Sequence, residues 1–281
     1  MLKMERVEKN YSDFRLNVSM EVKKGCITGL VGKNGAGKST TFKIILGLVR
    51  AEKGTVTVMG EMQKELSADK KQELGVILSD AGFSEYLTIK DINAILTHCY
   101  KKHDGTYFLQ QCERRGLPLD KKVKEFSTGM KAKLKILIAL SHGAKLLILD
   151  EPTLGLDVAM REELLDLLRD YMQEDEERSI LISSHIATDL ENLCDEIYMI
   201  DNGSIVLHDE TDQLLSSYAV LKVDEKNYEQ LDTRYVLKSK KEAYGYSCLT
   251  NQKQFYVENY PKLVIEQGGI DDLILFMIGG K

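Results

Sequence analysis

The sequence predicts an α/β fold: a mostly parallel, helix-covered sheet, interrupted by a helical insertion and followed by a small α+β appendage. Three observations predict it. Strand-like and helical patterns alternate between residues 145 and 200, as they do where parallel strands are joined by crossover helices. A glycine-rich turn, beginning at Gly32, separates a short apolar run from a helical pattern. Residues from about 84 to 142 carry helical periodicity alone.

The elements follow in order. Phe14, Leu16, Val18 and Met20 alternate with Arg15, Asn17 and Ser19, a period-two strand with one buried face. Residues 26–31 (CITGLV) form a short apolar run of the kind found in buried strands. A helix is predicted over 39–49, with Ile44, Ile45 and Leu48 on one side, and a strand over 55–59. In the insertion, Leu87, Ile89, Ile92, Ile95 and Leu96 recur at helical spacing, and further helices are predicted over about 106–115 and 128–141. Then come strand 145–150, helix 157–172, strand 179–183, helix 187–194 and strand 196–200. Past about Asp212 the pattern weakens to short strands at 220–223, 235–237 and 254–257 and a final helix over 270–278. The expected organisation is a main domain of 1–212, containing a helical subdomain of about 84–142, and an accessory region of 213–281.

Composition narrows the function. The chain has 281 residues, 43% hydrophobic and 29% charged, with a formal net charge of -6. These are ordinary values for a soluble globular protein, and the acidic balance makes no nucleic-acid partner expected. No apolar run approaches the ~20 residues that cross a bilayer, and the opening MLKMERVEKN has no apolar signal-peptide core. Cys26, Cys99, Cys112, Cys194 and Cys248 are scattered and form no C-x-x-C pair, which predicts reduced thiols acting as small hydrophobes.

The chemistry is carried by short motifs. Gly32-Lys33-Asn34-Gly35-Ala36-Gly37-Lys38-Ser39 fits G-x-x-x-x-G-K-[ST], preceded by a buried strand and followed by a helix. In a P-loop of this form the glycines let backbone N–H groups turn toward phosphate oxygens, and the helix adds its positive end. Lys38 reaches the β/γ-phosphates and Ser39 ligates Mg²⁺. Gly32, Asn34, Gly35, Gly37, Lys38, Ser39 and Thr40 are thus the candidate phosphate-binding residues. Leu146-Leu147-Ile148-Leu149-Asp150-Glu151 is an apolar strand ending in two carboxylates. Downstream of a P-loop, Asp150 is the candidate metal ligand beside Ser39, and Glu151 the candidate base for the attacking water. His185 ends the next strand, on the edge that carries the other phosphate ligands, and is placed at the γ-phosphate.

Together these residues resemble the ABC ATPase family over about residues 1–212. The diagnostic element is Phe126-Ser127-Thr128-Gly129-Met130, which is similar to the family's signature motif and precedes a helix. Pro152-Thr153-Leu154-Gly155-Leu156-Asp157 is similar to its D-loop, His185 to its switch histidine, and Tyr11 to the aromatic that stacks on adenine. Two departures stand out. Thr128 replaces a usual glycine, and the Q-loop glutamine is missing, with either Ser79 or Asp80 in its place. The resemblance implies a P-loop NTPase (RecA-like) core with an antiparallel β subdomain and an α-helical insertion. It implies ATP and Mg²⁺ as ligands, and ATP hydrolysis coupled to transmembrane transport. It also implies a homodimer or heterodimer of ATPase subunits, in which Ser127 and Gly129 approach the partner's nucleotide, with Asp157, the D-loop acid, a further candidate nucleotide-binding residue. A separate transmembrane permease, at the cytoplasmic face of the membrane, completes the implied assembly. The segments 75–87 and 269–280 look like the exporter branch, which moves drugs, peptides or other small amphiphiles. Import, and a soluble non-transport ATPase, are the alternatives.

Overall fold

In the computed structural model, which describes residues 1–278, the main sheet has ten strands. The first part of the chain supplies β1 (Leu2–Asn10), β2 (Arg15–Val22), β3 (Ile27–Val31), α1 (Lys38–Ile45), β4 (Lys53–Val58), β5 (Glu61–Met62), α2 (Ala68–Lys71) and β6 (Leu74–Ile77). The insertion follows as α3 (Ile89–Cys99), α4 (Gly105–Arg114) and α5 (Thr128–Leu140). The chain then returns through β7 (Leu146–Asp150), α6 (Val158–Gln173), β8 (Ser179–Ser184), α7 (Ala187–Leu193), β9 (Glu196–Asp201) and β10 (Ser204–Glu210).

Strand order in the sheet is β5-β4-β1-β2-β10-β9-β3-β8-β7-β6. From β9 through β3, β8 and β7 to β6 every pairing is parallel. The other end is an antiparallel wing of β1, β2, β4 and β5, so the expected core and β subdomain are both present. Strands β3, β7 and β8 are buried along their whole length. Successive residues of β7 serve opposite faces. Leu147 and Leu149 pack with Leu164, Leu168 and Leu190 on one side, and Leu146 and Ile148 with Phe42, Ile44 and Leu30 on the other.

The insertion has a core of its own, built from Ile89, Ile92, Leu96, Phe108, Cys112, Phe126 and Leu134. Its helices start on side-chain caps: Thr88 with Asp91 in a reciprocal box, Asp104, and Ser127. Helix α5 ties the insertion to the sheet, for a Cβ on Gly75 would meet the Ala139 carbonyl oxygen at 2.4 Å.

Strand β1 escaped the periodicity reading because Arg6 sits at φ 48° and the ladder shifts register between Met4 and Val7. The bulge breaks the period of two while Leu2, Met4 and Val7 all stay buried.

After β10 come α8 (Thr211–Ser217), β11 (Ala219–Val223), α9 (Glu225–Tyr228), β12 (Val236–Glu242), β13 (Gly245–Thr250), α10 (Lys253–Asn259), β14 (Val264–Gln267) and α11 (Ile270–Leu273), which runs on into a π turn, Ile274–Ile278. The expected strand at 254–257 is a correction. Gln254, Phe255, Tyr256 and Val257 lie in helix α10, where Tyr256 is fully buried and its hydroxyl donates to the Asp232 carbonyl at 2.6 Å. Aromatic and β-branched residues favour strands only where they fit a pleated surface, and here one ring filling the small core decided otherwise. The strand of this region is β13, central in the four-stranded order β12-β13-β11-β14 together with β11.

The boundary expected at 212/213 falls inside α8. Leu214, Val220, Leu249, Ile270, Leu273 and Phe276 join the main core beside Leu190 and Leu193, so the appendage is packed onto α7. Of the segment 269–280 read at the sequence level, 279–280 lie outside the described residues.

At the junction of insertion and sheet, His142 is 2% exposed, stacks on Tyr100 at 3.9 Å and donates from Nε2 to the Leu74 carbonyl at 2.9 Å. Its Nδ1 has no partner among the described residues. Burial pushes this imidazole below its ordinary pKa. The unfolded chain therefore takes up the proton first as pH falls, and stability present near pH 7 is lost below about 6.5, at no more than about 1.4 kcal/mol per pH unit for one proton. His142→Gln keeps a donor for Leu74 but cannot titrate. Denaturant unfolding should show a larger loss between about pH 7 and pH 5.5 in the wild type than in the variant; equal losses would mean His142 is not the titrating group.

Candidate functional site

Parallel register builds the site. Val31 pairs with Ser184, Asp150 with Ser183 and Ile77 with Leu149, so the residues following β3, β8, β7 and β6 all leave along one edge. This is the carboxyl edge, where open α/β sheets bind ligands.

The turn after β3 takes positive φ at Gly35 (83°) and Gly37 (115°). A Cβ on Gly32 would lie 2.3 Å from the Ile200 carbonyl oxygen, whereas one on Gly35 would meet nothing within 4 Å. The loop is thus pressed onto β9 at its start and open at its crest. Helix α1 has no side-chain cap and no acidic residue in its first turn, which leaves its N–H groups available to an anion. Lys38 is 6% exposed, donates to the Gly32 carbonyl at 2.7 Å and stands 3.2 Å from Glu151 Oε1.

Asp150 is buried and collects three hydroxyls. Ser39 and Ser79 donate to Oδ2 at 2.8 and 2.9 Å, and Ser183 to Oδ1 at 2.7 Å. The sequence left Ser79 and Asp80 as alternatives, and the geometry brings Ser79 to this carboxylate. Asp80 turns away to Lys43 at 2.6 Å, whose hydrogen bond and charge hold the Asp80 carboxyl below its usual range. Ser39 and Asp150 form an oxygen-only pair that suits a hard cation such as Mg²⁺.

Glu151 adopts φ 51°, a left-handed conformation that costs a non-glycine residue about 1–2 kcal/mol. Its N–H is held there by Ser183, through Oγ at 3.0 Å and the carbonyl at 3.2 Å. Its Oε2 accepts from the His185 N–H at 3.1 Å and meets His185 Nδ1 at 2.6 Å. Lys38, Glu151 and His185 therefore form a chain around a cavity of about 350 Å³, which also takes in Asn34, Thr40 and Phe14.

Tyr11 is 47% exposed and stands beside this cavity, its ring 6.2 Å from that of Phe14. The aromatic on the wall is Phe14, which the alternation had assigned to a strand. Ser127, Gly129 and Asp157 form a second group away from the cavity wall. Ser127 caps α5 through Met130 N at 3.2 Å, and Asp157 caps α6 through Met160 N at 2.8 Å. Gly129 lies against Met160, for a Cβ there would come within 2.9 Å of the Met160 Cε. Thr128 is neighbour to Gly155, whose φ is 75°.

Known proteins resemble this chain in sequence and fold. The family described as "ABC transporter" matches residues 16–154. The lantibiotic transport ATP-binding protein SrtF of Streptococcus pyogenes is 38% identical over 216 residues, covering 75% of this chain and 92% of its own length. The bacitracin transport ATP-binding protein BcrA of Bacillus licheniformis is 36% identical over 195 residues, or 68% of this chain and 62% of BcrA. Among solved structures, an ATP-binding subunit of an ABC transporter superposes with a TM-score of 0.67 at 27% identity, covering 76% of this chain and 91% of that one. A dimeric cassette with ADP and phosphate shares the fold, with a TM-score of 0.64 at 21% identity over 75% of this chain and 99% of that one.

The close approach of Gly32 to β9 makes a test. Gly32→Ala must move the loop, since backbone cannot yield as a flexible side chain does. We expect nucleotide affinity, measured by isothermal titration, to fall at least about tenfold, equal to about 1.4 kcal/mol. Unchanged affinity would show that the start of the loop does not set the site.

Proposed function

This chain belongs to the ABC transporter family, and from that premise we propose that it is the ATP-hydrolysing subunit of a transporter. The observation that carries the reading is Glu151, set between Lys38 and His185 in front of the uncapped start of α1. Lys38 and Glu151 neutralise one another at 3.2 Å. The phosphates of ATP compete for that ammonium, leaving Glu151 free to accept a proton from the attacking water. His185 holds the far oxygen of the carboxylate and thereby its orientation. Ser39 and Asp150 would hold Mg²⁺, which supplies neutralising charge to the phosphates. Residue roles at the remaining positions follow the sequence reading: the loop from Gly32 to Thr40 on phosphate, and an aromatic at Tyr11 or Phe14 on the base.

Ser127, Gly129 and Asp157 do not line this cavity, yet the first turn of α5 offers N–H groups suited to an anion. Two ATPase chains, identical or different, therefore share each nucleotide. No described helix is long and apolar enough to cross a membrane. The relatives named for lantibiotic and bacitracin transport support a separate transmembrane permease, with this chain at the cytoplasmic face. They also favour export of a peptide, drug or similar amphiphile.

Glu151→Gln should keep ATP affinity, lose turnover by about 10²–10⁴-fold, and accumulate an ATP-bound dimer on a sizing column. Turnover near wild type would remove Glu151 from the role. A crosslinked pull-down from native membranes should recover a polytopic membrane protein; recovery of soluble partners alone would favour a non-transport ATPase.

A further inference from the structure

Asp189 is 5% exposed and lies outside the cavity, in the first turn of α7. Its Oδ2 accepts from Thr153 Oγ1 at 2.8 Å, and Thr153 is itself 2% exposed. Its other oxygen faces Arg161 Nη1 at 3.6 Å, too long for a hydrogen bond, and Arg161 Nε has no partner among the described residues. A carboxylate this deeply buried with one short donor gains little net stability, because desolvation offsets the attraction. What it gains is a connection. Thr153 comes two residues after Glu151, Asp189 four after His185, and Arg161 four after the capping Asp157.

We infer that Asp189 is a positioning residue for ATP hydrolysis, tying the Thr153 turn to the segment behind His185 and so holding the Glu151–His185 pair in register. The inference rests on the reading of Glu151 as base. The physical need for a second tie is visible in the pair itself. Glu151 is held in a left-handed backbone conformation, and its partner His185 is 40% exposed on its side chain, so packing does not fix the His185 half of the pair all round. The backbone bonds from Glu151 N to Ser183 set where β7 ends, but they do not set the direction in which the chain leaves toward α6. Leu154 N to the Glu151 carbonyl and Leu156 N to the Thr153 carbonyl, both at 3.2 Å, shape the turn itself, and Thr153–Asp189 anchors that turn to α7 at a buried contact.

The test uses the full chain. Thr153→Val keeps shape and removes the hydroxyl. We expect turnover to fall about tenfold, as small misplacements of reacting groups do, with ATP affinity held within about twofold. Thr153→Ser, which restores the donor, should restore turnover. Should Thr153→Val not fold, Asp189→Leu, of similar size and without an acceptor for the Thr153 hydroxyl, carries the same expectation of lowered turnover at unchanged affinity. Wild-type turnover overturns the inference, and so does a parallel loss of affinity and melting temperature, which marks a merely structural contact. Glu151→Gln run alongside separates the two readings. If it retains turnover the assignment of the base fails; if it is inactive while Thr153→Val is normal, only the role of Asp189 fails.

Discussion

A carboxylate buried as fully as Asp150 must be compensated, and the way this is done organises the whole edge of the sheet. Moving an ionised group out of water is costly unless hydrogen bonds replace the solvent. Here the replacement comes from three elements at once: Ser39 at the start of α1, Ser79 after β6 and Ser183 at the end of β8. Each hydroxyl brings its own segment to the same point. The phosphate loop, the loop leading into the helical insertion and the strand before His185 are thereby held together around one side chain.

The next ring of contacts is built on charge. Lys38 touches Glu151, Glu151 touches His185, and Asp80 beside Ser79 reaches Lys43 on α1. The loop 78–83 is consequently pinned to Asp150 at the end of β7 and to Lys43 on α1, while its further residues, with Ile95, Leu96 and Tyr100, border an apolar groove against the insertion. The insertion, with a separate core, is joined to the nucleotide edge mainly through α5 and this loop.

The C-terminal region is less separate than its sequence suggested. Ile270 N donates to Glu191 Oε1 at 2.5 Å, and the Lys33 ammonium donates to the Ile278 carbonyl at 3.2 Å. The last helical segment thus spans from α7, which follows His185, to the phosphate loop itself. It is a buttress of the nucleotide-binding core, and its Ile270, Leu273 and Phe276 complete that core's apolar face.

What could be read from the sequence was whatever is encoded locally. The P-loop, the acidic strand end and His185 were legible because glycine, lysine and paired carboxylates at fixed spacings have few other uses. The α/β alternation was legible because strand and helix periods differ. Strand β1 was not, because a bulge at Arg6 breaks its period, and α10 was not, because Tyr256 answers to a distant carbonyl rather than to its neighbours. The choice of Ser79 over Asp80, Phe14 on the cavity wall and the Thr153–Asp189 tie belong to the tertiary structure alone. Each joins residues far apart in the chain, 36 apart for Thr153 and Asp189 and 71 for Ser79 and Asp150, and only strand register and burial decide which of two adjacent side chains faces inward.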